Sequence, residues 1–304
     1  MEFDFKSILD LVKAFPDEKT CMEYLAEMRW NGVVVSPFDE TSKVYITARG
    51  YMCKNTGKYF NAKVGTIFED TKIPLIKWYM ALFLFSSHKK GISSHQLAKD
   101  LDVTQKTAWF MLHRLRYAFD SPSFIKEFES IVEIDESHIG GADKNKHMSK
   151  KRNKQGPDPD NTKAAVLGIK DRRTGKVKAT VRTDRSSDGI LEHVKNQVQL
   201  GGIVVTDDAR NLLAIGNHYS HIRVNHSAKE YVNGFAHTNG IENFWSHLKR
   251  GIDGIYHWVS VPHLQSYVNE YTLRYNTRKM TTSGRFDLVL SNVAGRLTYK
   301  ELIK

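Results

Sequence analysis

The chain has 304 residues, 40% of them hydrophobic, and a formal net charge of +11. That length predicts two or three soluble globular domains with real cores. The longest apolar run, Trp78 to Phe85, is too short to span a bilayer, the acidic start lacks the basic flank of a secretory signal, and Cys21 and Cys53 are too few for a disulfide framework, so the expected setting is intracellular.

Charge is unevenly spread: residues 1–42 carry −5, residues 43–119 carry +9 and residues 120–304 carry +7. Positive charge concentrated in the middle stretch suits a phosphate-binding surface, because each neutralised phosphate releases counterions.

Residues 1–42 read as a helical segment leading into a ribbon. Residues 43–70 follow as a small β module, with strand-like runs at Lys43-Val-Tyr-Ile-Thr, Gly50-Tyr-Met-Cys53 and Lys58-Tyr-Phe set apart by Gly and Asn turns. Residues 71–120 open with a helix at about 73–87, with Pro74 near its first turn. Ser93-Ser-His-Gln96 has capping-box form, Asp102-Val103 makes a tight turn, and Thr104 can cap a second helix, which is helix-turn-helix spacing. In that second helix Ala108, Met111, Leu112, Leu115 and Phe119 form the predicted buried stripe. Gln105, Lys106, Trp109, His113 and Arg116 then lie on the opposite face, suited either to base edges and phosphates or, in an ordinary helical hairpin, to solvent.

Residues 128–280 read as alternating strands and helices, giving an α/β domain with a mixed sheet covered by helices. Strands are predicted at 130–139, 163–170, 177–183, 202–206 and 221–225, and helices at 187–200, 211–217, 239–252 and 263–277. The loop at 140–162 holds Lys144, Lys146, Lys150, Lys151, Arg152 and Lys154, and beside a cleft it could follow a DNA backbone. Residues 281–304 read as a C-terminal tail.

Three acids sit on rigid elements: Asp135 and Asp207 each close an apolar β-like run, and Glu242 lies on the helix at 239–252, with Lys249 two turns beyond it on the same edge. Any one of them can instead cap a helix or meet a surface lysine. Together they suggest a divalent-metal site, and hard oxygen donors suit Mg²⁺ or Mn²⁺, with two ions able to divide the work of phosphoryl transfer. Strand alternation favours Asp135 and Asp207 over Glu136 and Asp208. Asn239 is an alternative third ligand. His218, His221, His226 and His237 match no standard zinc spacing, and His226 and His237 read as structural or as DNA contacts near the cleft. No glycine-rich phosphate loop and no Gly-x-Ser-x-Gly elbow occurs.

In order and spacing, the helix-turn-helix, Val-Glu-Ile-Asp135-Glu before Gly140-Gly141, Val-Thr-Asp207, Val224-Asn-His226-Ser and His237-Thr-Asn-Gly-Ile-Glu242-Asn-Phe-Trp with Leu-Lys249-Arg250 resemble the ISXO-like DDE transposases of bacterial insertion sequences. The likeness covers about residues 20 to 280. It implies a ribonuclease-H-like fold, a catalytic role for Asp135, Asp207, Glu242 and Lys249, a DNA contact at Arg250, and double-stranded DNA, both element ends and target, as partner. It also implies a homo-oligomer on DNA and a nucleoid-associated place in a bacterial cytoplasm. Members of the family usually open with a four-cysteine zinc ribbon, but here Ser36-Pro-Phe-Asp39 and Cys53-Lys-Asn-Thr56 leave only Cys53, so a ribbon without zinc is expected. A non-catalytic DNA-binding regulator and a ribonuclease-H-like nuclease are the rival readings.

Overall fold

The structure is a computed structural model that describes residues 3–119, 128–140, 163–184, 186–207, 209–224 and 237–303. Asp208, His226 and the basic residues of the 140–162 loop lie outside the described residues. By internal contacts the chain forms two compact units, one of Met1–Ser121 with Lys279–Lys304 and one of Pro122–Arg278.

In the first unit α1 (Ile8–Ala14) begins where Ser7 and Asp10 cap each other reciprocally, and α2 (Glu18–Trp30) begins at Asp17, whose carboxylate accepts from the Thr20 amide. Strands β1 (Val44–Thr47), β2 (Gly50–Cys53) and β3 (Tyr59–Phe60) make an antiparallel sheet. Cys53 is fully buried there; burial raises its thiol pKa, but hydrogen bonds from Ser36, Ser42 and Thr56 outweigh that and bring it to about 6. Three of the expected zinc-ligand positions therefore carry hydroxyl or thiol groups gathered around one point.

Helix α3 (Leu75–Ser87) is apolar nearly all round and buried, which is what a central helix requires. Phe15 and Phe286 meet its Tyr79 edge-on, and Phe5 in turn meets Phe286 edge-on. Phe286 belongs to α9 (Thr282–Leu290), and the short α10 (Tyr299–Leu302) follows. Residues 281–304, expected as a tail, thus supply part of this unit's core.

Helices α4 (Ser94–Leu101) and α5 (Gln105–Ala118) form the predicted helix-turn-helix, capped by Ser93 and Thr104, with Asp102 in the left-handed conformation at the turn. The predicted exposed face of α5 needs correction. Gln105 and Lys106 are exposed and Trp109 is partly buried, but His113 and Arg116 are both only 1% exposed. Arg116 lies over the Phe85 ring at 6.0 Å, on the α3 side. The far side of α5 is covered by the C-terminal stretch: Arg114 donates to the carbonyls of Leu297, Ile67 and Glu69, and Phe110 meets the Tyr299 ring. A helix buried from two sides has no single solvated stripe, so only its first turn keeps the expected exposure.

The second unit is built on a five-stranded sheet, ordered β6-β5-β4-β7-β8 among the described residues. β4 (Val132–Ile139), β5 (Ala164–Asp171) and β6 (Val177–Arg182) run antiparallel, while β7 (Ile203–Asp207) and β8 (Ser220–Val224) run parallel to β4. This is the mixed sheet of a ribonuclease-H-like fold. On one face Val132, Ile134 and Val204 pack against Ile190 and Val194 of α6 (Ser187–Lys195) and against Leu212 and Ile215 of the 3₁₀ turn Arg210–Asn217. On the other, Ile139, Val166 and Ala179 pack against Ile241, Phe244, Trp245 and Leu248 of α7 (Asn239–Gly251) and Leu264 and Val268 of α8 (Val261–Asn276). No helix among the described residues is long and apolar enough to cross a membrane.

Candidate active site

Strand alternation sets the site. Val132 and Ile134 point to the α6 face, so Glu133 and Asp135 point to the α7 face. β4 and β7 pair in parallel with Ile134 opposite Thr206, which brings the next residues, Asp135 and Asp207, side by side at the end of that pairing. On α7 the apolar residues Ile241, Phe244, Trp245 and Leu248 pack on the sheet. Glu242, Ser246 and Lys249, spaced four and three apart, then fall along the neighbouring edge of the helix.

The result is one cleft of about 340 Å³, lined by Asp135, Glu136, Ser137, Asp207, Thr238, Glu242, Trp245, Ser246 and Lys249. Sequence reasoning named four of these, Asp135, Asp207, Glu242 and Lys249, and the fold brings them together. Asn239 is exposed and does not line the cleft, and Arg250 donates to the Ser246 carbonyl at 2.9 Å from the outer side of α7. Glu136, expected to point away, also borders the cleft, because β4 runs on past its pairing with β7. It accepts from the Asn211 amide at 3.2 Å and lies 3.3 Å from His138 Nε2.

Each acid is held. Asp135 accepts from Trp245 Nε1 at 2.9 Å and from the Glu136 amide at 2.8 Å. Asp207 accepts from the Ala209 amide at 3.2 Å, and Glu242 accepts from the Thr238 hydroxyl at 2.8 Å. Burial, then the charge of Asp207 and less strongly that of Glu242, raise the Asp135 pKa to about 6 against the lowering effect of the Trp245 and Glu136 hydrogen bonds. Crowded carboxylates of this kind are relieved by a cation.

Among the described residues no group of three or more Asp, Glu, His or Cys side chains forms a ready-made metal cage. Magnesium does not need one, since it takes one or two carboxylates and completes its shell with water and phosphate oxygens. The donor set fits such an ion.

Two supports escaped sequence reasoning. Gly168 is the cross-strand partner of Asp135, and a Cβ there would lie 2.6 Å from the Trp245 ring, so the missing side chain makes room for the indole that holds Asp135. Glu133, 1% exposed, accepts from the Ile241 amide at 2.9 Å in the first turn of α7. Its charge is met by Arg172 Nε at 2.8 Å, and His237 Nδ1 lies 3.5 Å away, while Arg172 also donates to the His237 carbonyl. A carboxylate buried at a helix N-terminus offsets free amides and the positive end of the dipole. An acid two residues before Asp135 inside an apolar strand was the signal available for it. His237 accordingly supports the start of α7, and His221 meets the Thr206 hydroxyl at 2.8 Å.

Residues 127–276 match the ISXO2-like transposase domain. Over 276 residues the chain is 27% identical to an uncharacterized protein in transposable element ISH50 of Halobacterium salinarum, covering 86% of this chain and 92% of that one. Over 106 residues it is 29% identical to an uncharacterized transposase-like protein of Haemophilus influenzae, covering 34% of this chain and 85% of that one.

Proposed function

The chain belongs to the ISXO2-like transposase family, and we propose that it is the enzyme that cuts the ends of an insertion sequence and joins them to target DNA. One observation carries this reading: Asp135, Asp207, Glu242 and Lys249 line a single cleft in the domain that the family shares. Asp135, Asp207 and Glu242 would hold Mg²⁺ or Mn²⁺, probed best as a pair of ions, and the bound metal would supply charge neutralisation and an activated oxygen nucleophile. The protein's own part is placement, which with charge neutralisation supplies most of the acceleration in phosphoryl transfer. Trp245 and Thr238 orient the carboxylates, Lys249 holds a DNA phosphate, and the first turn of α5, through Gln105 and Lys106, reads the element's ends as the start of a recognition helix does. The working form is a homo-oligomer on DNA.

The test is a labelled duplex carrying a terminal inverted repeat, incubated with protein, Mg²⁺ and a supercoiled target plasmid. The reading requires nicking at the 3′ end of the repeat followed by joining to the plasmid. Specific binding without metal-dependent nicking would leave a DNA-binding regulator, and nicking that never proceeds to joining would leave a nuclease.

A further inference from the structure

Beyond Lys249 the wall of the acid cleft continues into a second pocket of about 310 Å³. Helix α7 passes directly into a π turn, Ile252–Tyr256, and the next residue, His257, has φ 59° and ψ −41°, a conformation that non-glycine residues rarely adopt. Strain of this kind persists only where the surroundings enforce it, and it concentrates at binding sites. The residue that follows, Trp258, has 69% of its surface exposed, the most exposed tryptophan or tyrosine among the large apolar residues of the described chain. The pocket beside this indole is lined also by Lys163, Lys249, His138, His257 and Asp253.

An exposed tryptophan between lysines has one natural kind of occupant near a phosphodiester-cutting cleft. The indole offers a flat apolar face, the lysines offer charge to phosphates, and the imidazoles and Asp253 offer hydrogen-bonding groups to a base edge. The volume holds a base but not a duplex. Because Lys249 lines both cavities, a strand whose phosphate meets Lys249 in the cleft would deliver its neighbouring nucleotide here.

We propose that the pocket formed by Trp258, His257 and Lys163 takes one unstacked nucleotide of the DNA strand next to the scissile phosphate, with its base stacked on Trp258. This rests on the transposase reading for its biological setting, but binding tests it separately from catalysis. The probes are two duplexes of identical arbitrary sequence, one blunt and one with a two-nucleotide 3′ overhang containing 2-aminopurine, titrated in Ca²⁺ so that binding is read without turnover. Wild-type protein should prefer the overhang by about tenfold and change the 2-aminopurine fluorescence through stacking. Trp258→Ala should abolish that preference, while Trp258→Phe, which keeps an aromatic face, should retain most of it. Melting temperatures of both variants should match the wild type, since the indole is exposed. A wild-type protein without the preference, or a Trp258→Ala variant that keeps it, would overturn the proposal. A protein that shows the Trp258-dependent preference yet never nicks DNA in Mg²⁺ would sink the transposase reading and leave the nucleotide pocket standing.

Discussion

Asp135 accepts two hydrogen bonds and stands beside two other carboxylates, and these facts oppose each other in stability. Its pKa in the folded chain is about 6 against 3.8 in the absence of structure. A carboxyl group raised in this way stabilises the fold fully below about pH 4, and that contribution is lost as pH rises through 6, amounting to about 3 kcal/mol. Asp135→Asn removes the charge and forfeits one accepted hydrogen bond, which costs about 1 kcal/mol. In EDTA the variant should therefore melt above the wild type at pH 8 and lose that advantage by pH 4; a variant that melts lower at pH 8 by the same margin as at pH 4 would refute the assigned cost of burying that charge beside Asp207. Gly168 gives a second residue-level test. Gly168→Ala places a methyl group against the Trp245 ring, where overpacking costs about 1–3 kcal/mol. Tm and nicking should fall together, and a variant matching the wild type in both would show that the indole is not confined by the sheet.

At the scale of elements, the sequence carried the two capped helices of the helix-turn-helix and the amphipathic α7, because caps and apolar spacing are local signals. It did not carry which faces of α5 would be covered. His113 and Arg116 sit at positions that helical periodicity alone assigns to solvent, and their burial depends on α3 and on a C-terminal stretch far away in sequence. The two halves of α5 should therefore behave differently. Lys106→Ala should weaken binding to specific and random DNA alike, and Gln105→Ala should cost about 1–3 kcal/mol on the specific site if it reads a base. Arg116→Ala should instead lower stability by about 2–4 kcal/mol in denaturant melts, with DNA affinity of the folded fraction unchanged. A selective loss of DNA affinity in Arg116→Ala at wild-type stability would return that side chain to the reading face. In the ribbon, Ser36, Cys53 and Thr56 are expected to leave purified protein without stoichiometric zinc, and elemental analysis finding one zinc per chain would contradict this.

Across the whole molecule, the positions of the strands and the three acids were legible because both follow from alternation and spacing within a few residues, whereas the order of the strands in the sheet was not. Asp135, Asp207 and Glu242 are far apart in sequence, yet Asp135 lies where β4 leaves its pairing with β7, Asp207 ends β7 and Glu242 lies on one edge of α7, and the parallel pairing leaves the first two side by side. The supports were not legible. Gly168 and Glu133 act through cross-strand register and through contact with α7, which no single segment encodes, and the folding of residues 282–290 into the core of the N-terminal unit follows from packing alone. The same supports predict that Glu133→Gln, which keeps an acceptor for the Ile241 amide but removes the charge facing Arg172, slows nicking more than it weakens end binding. Equal losses in both would assign Glu133 to general stability.

The central claim is that the cleft between β4, β7 and α7 performs metal-dependent DNA cutting. Its most direct test is single-turnover nicking of a labelled end duplex in Mg²⁺ by Asp135→Asn, Asp207→Asn and Glu242→Gln, with end binding measured in parallel. Each variant keeps side-chain shape and removes one carboxylate charge, so each should lose nicking and joining while binding the ends nearly as the wild type does, and Lys249→Ala should be milder. Wild-type nicking by any one of the three acid variants would remove that residue from the site and contradict the account.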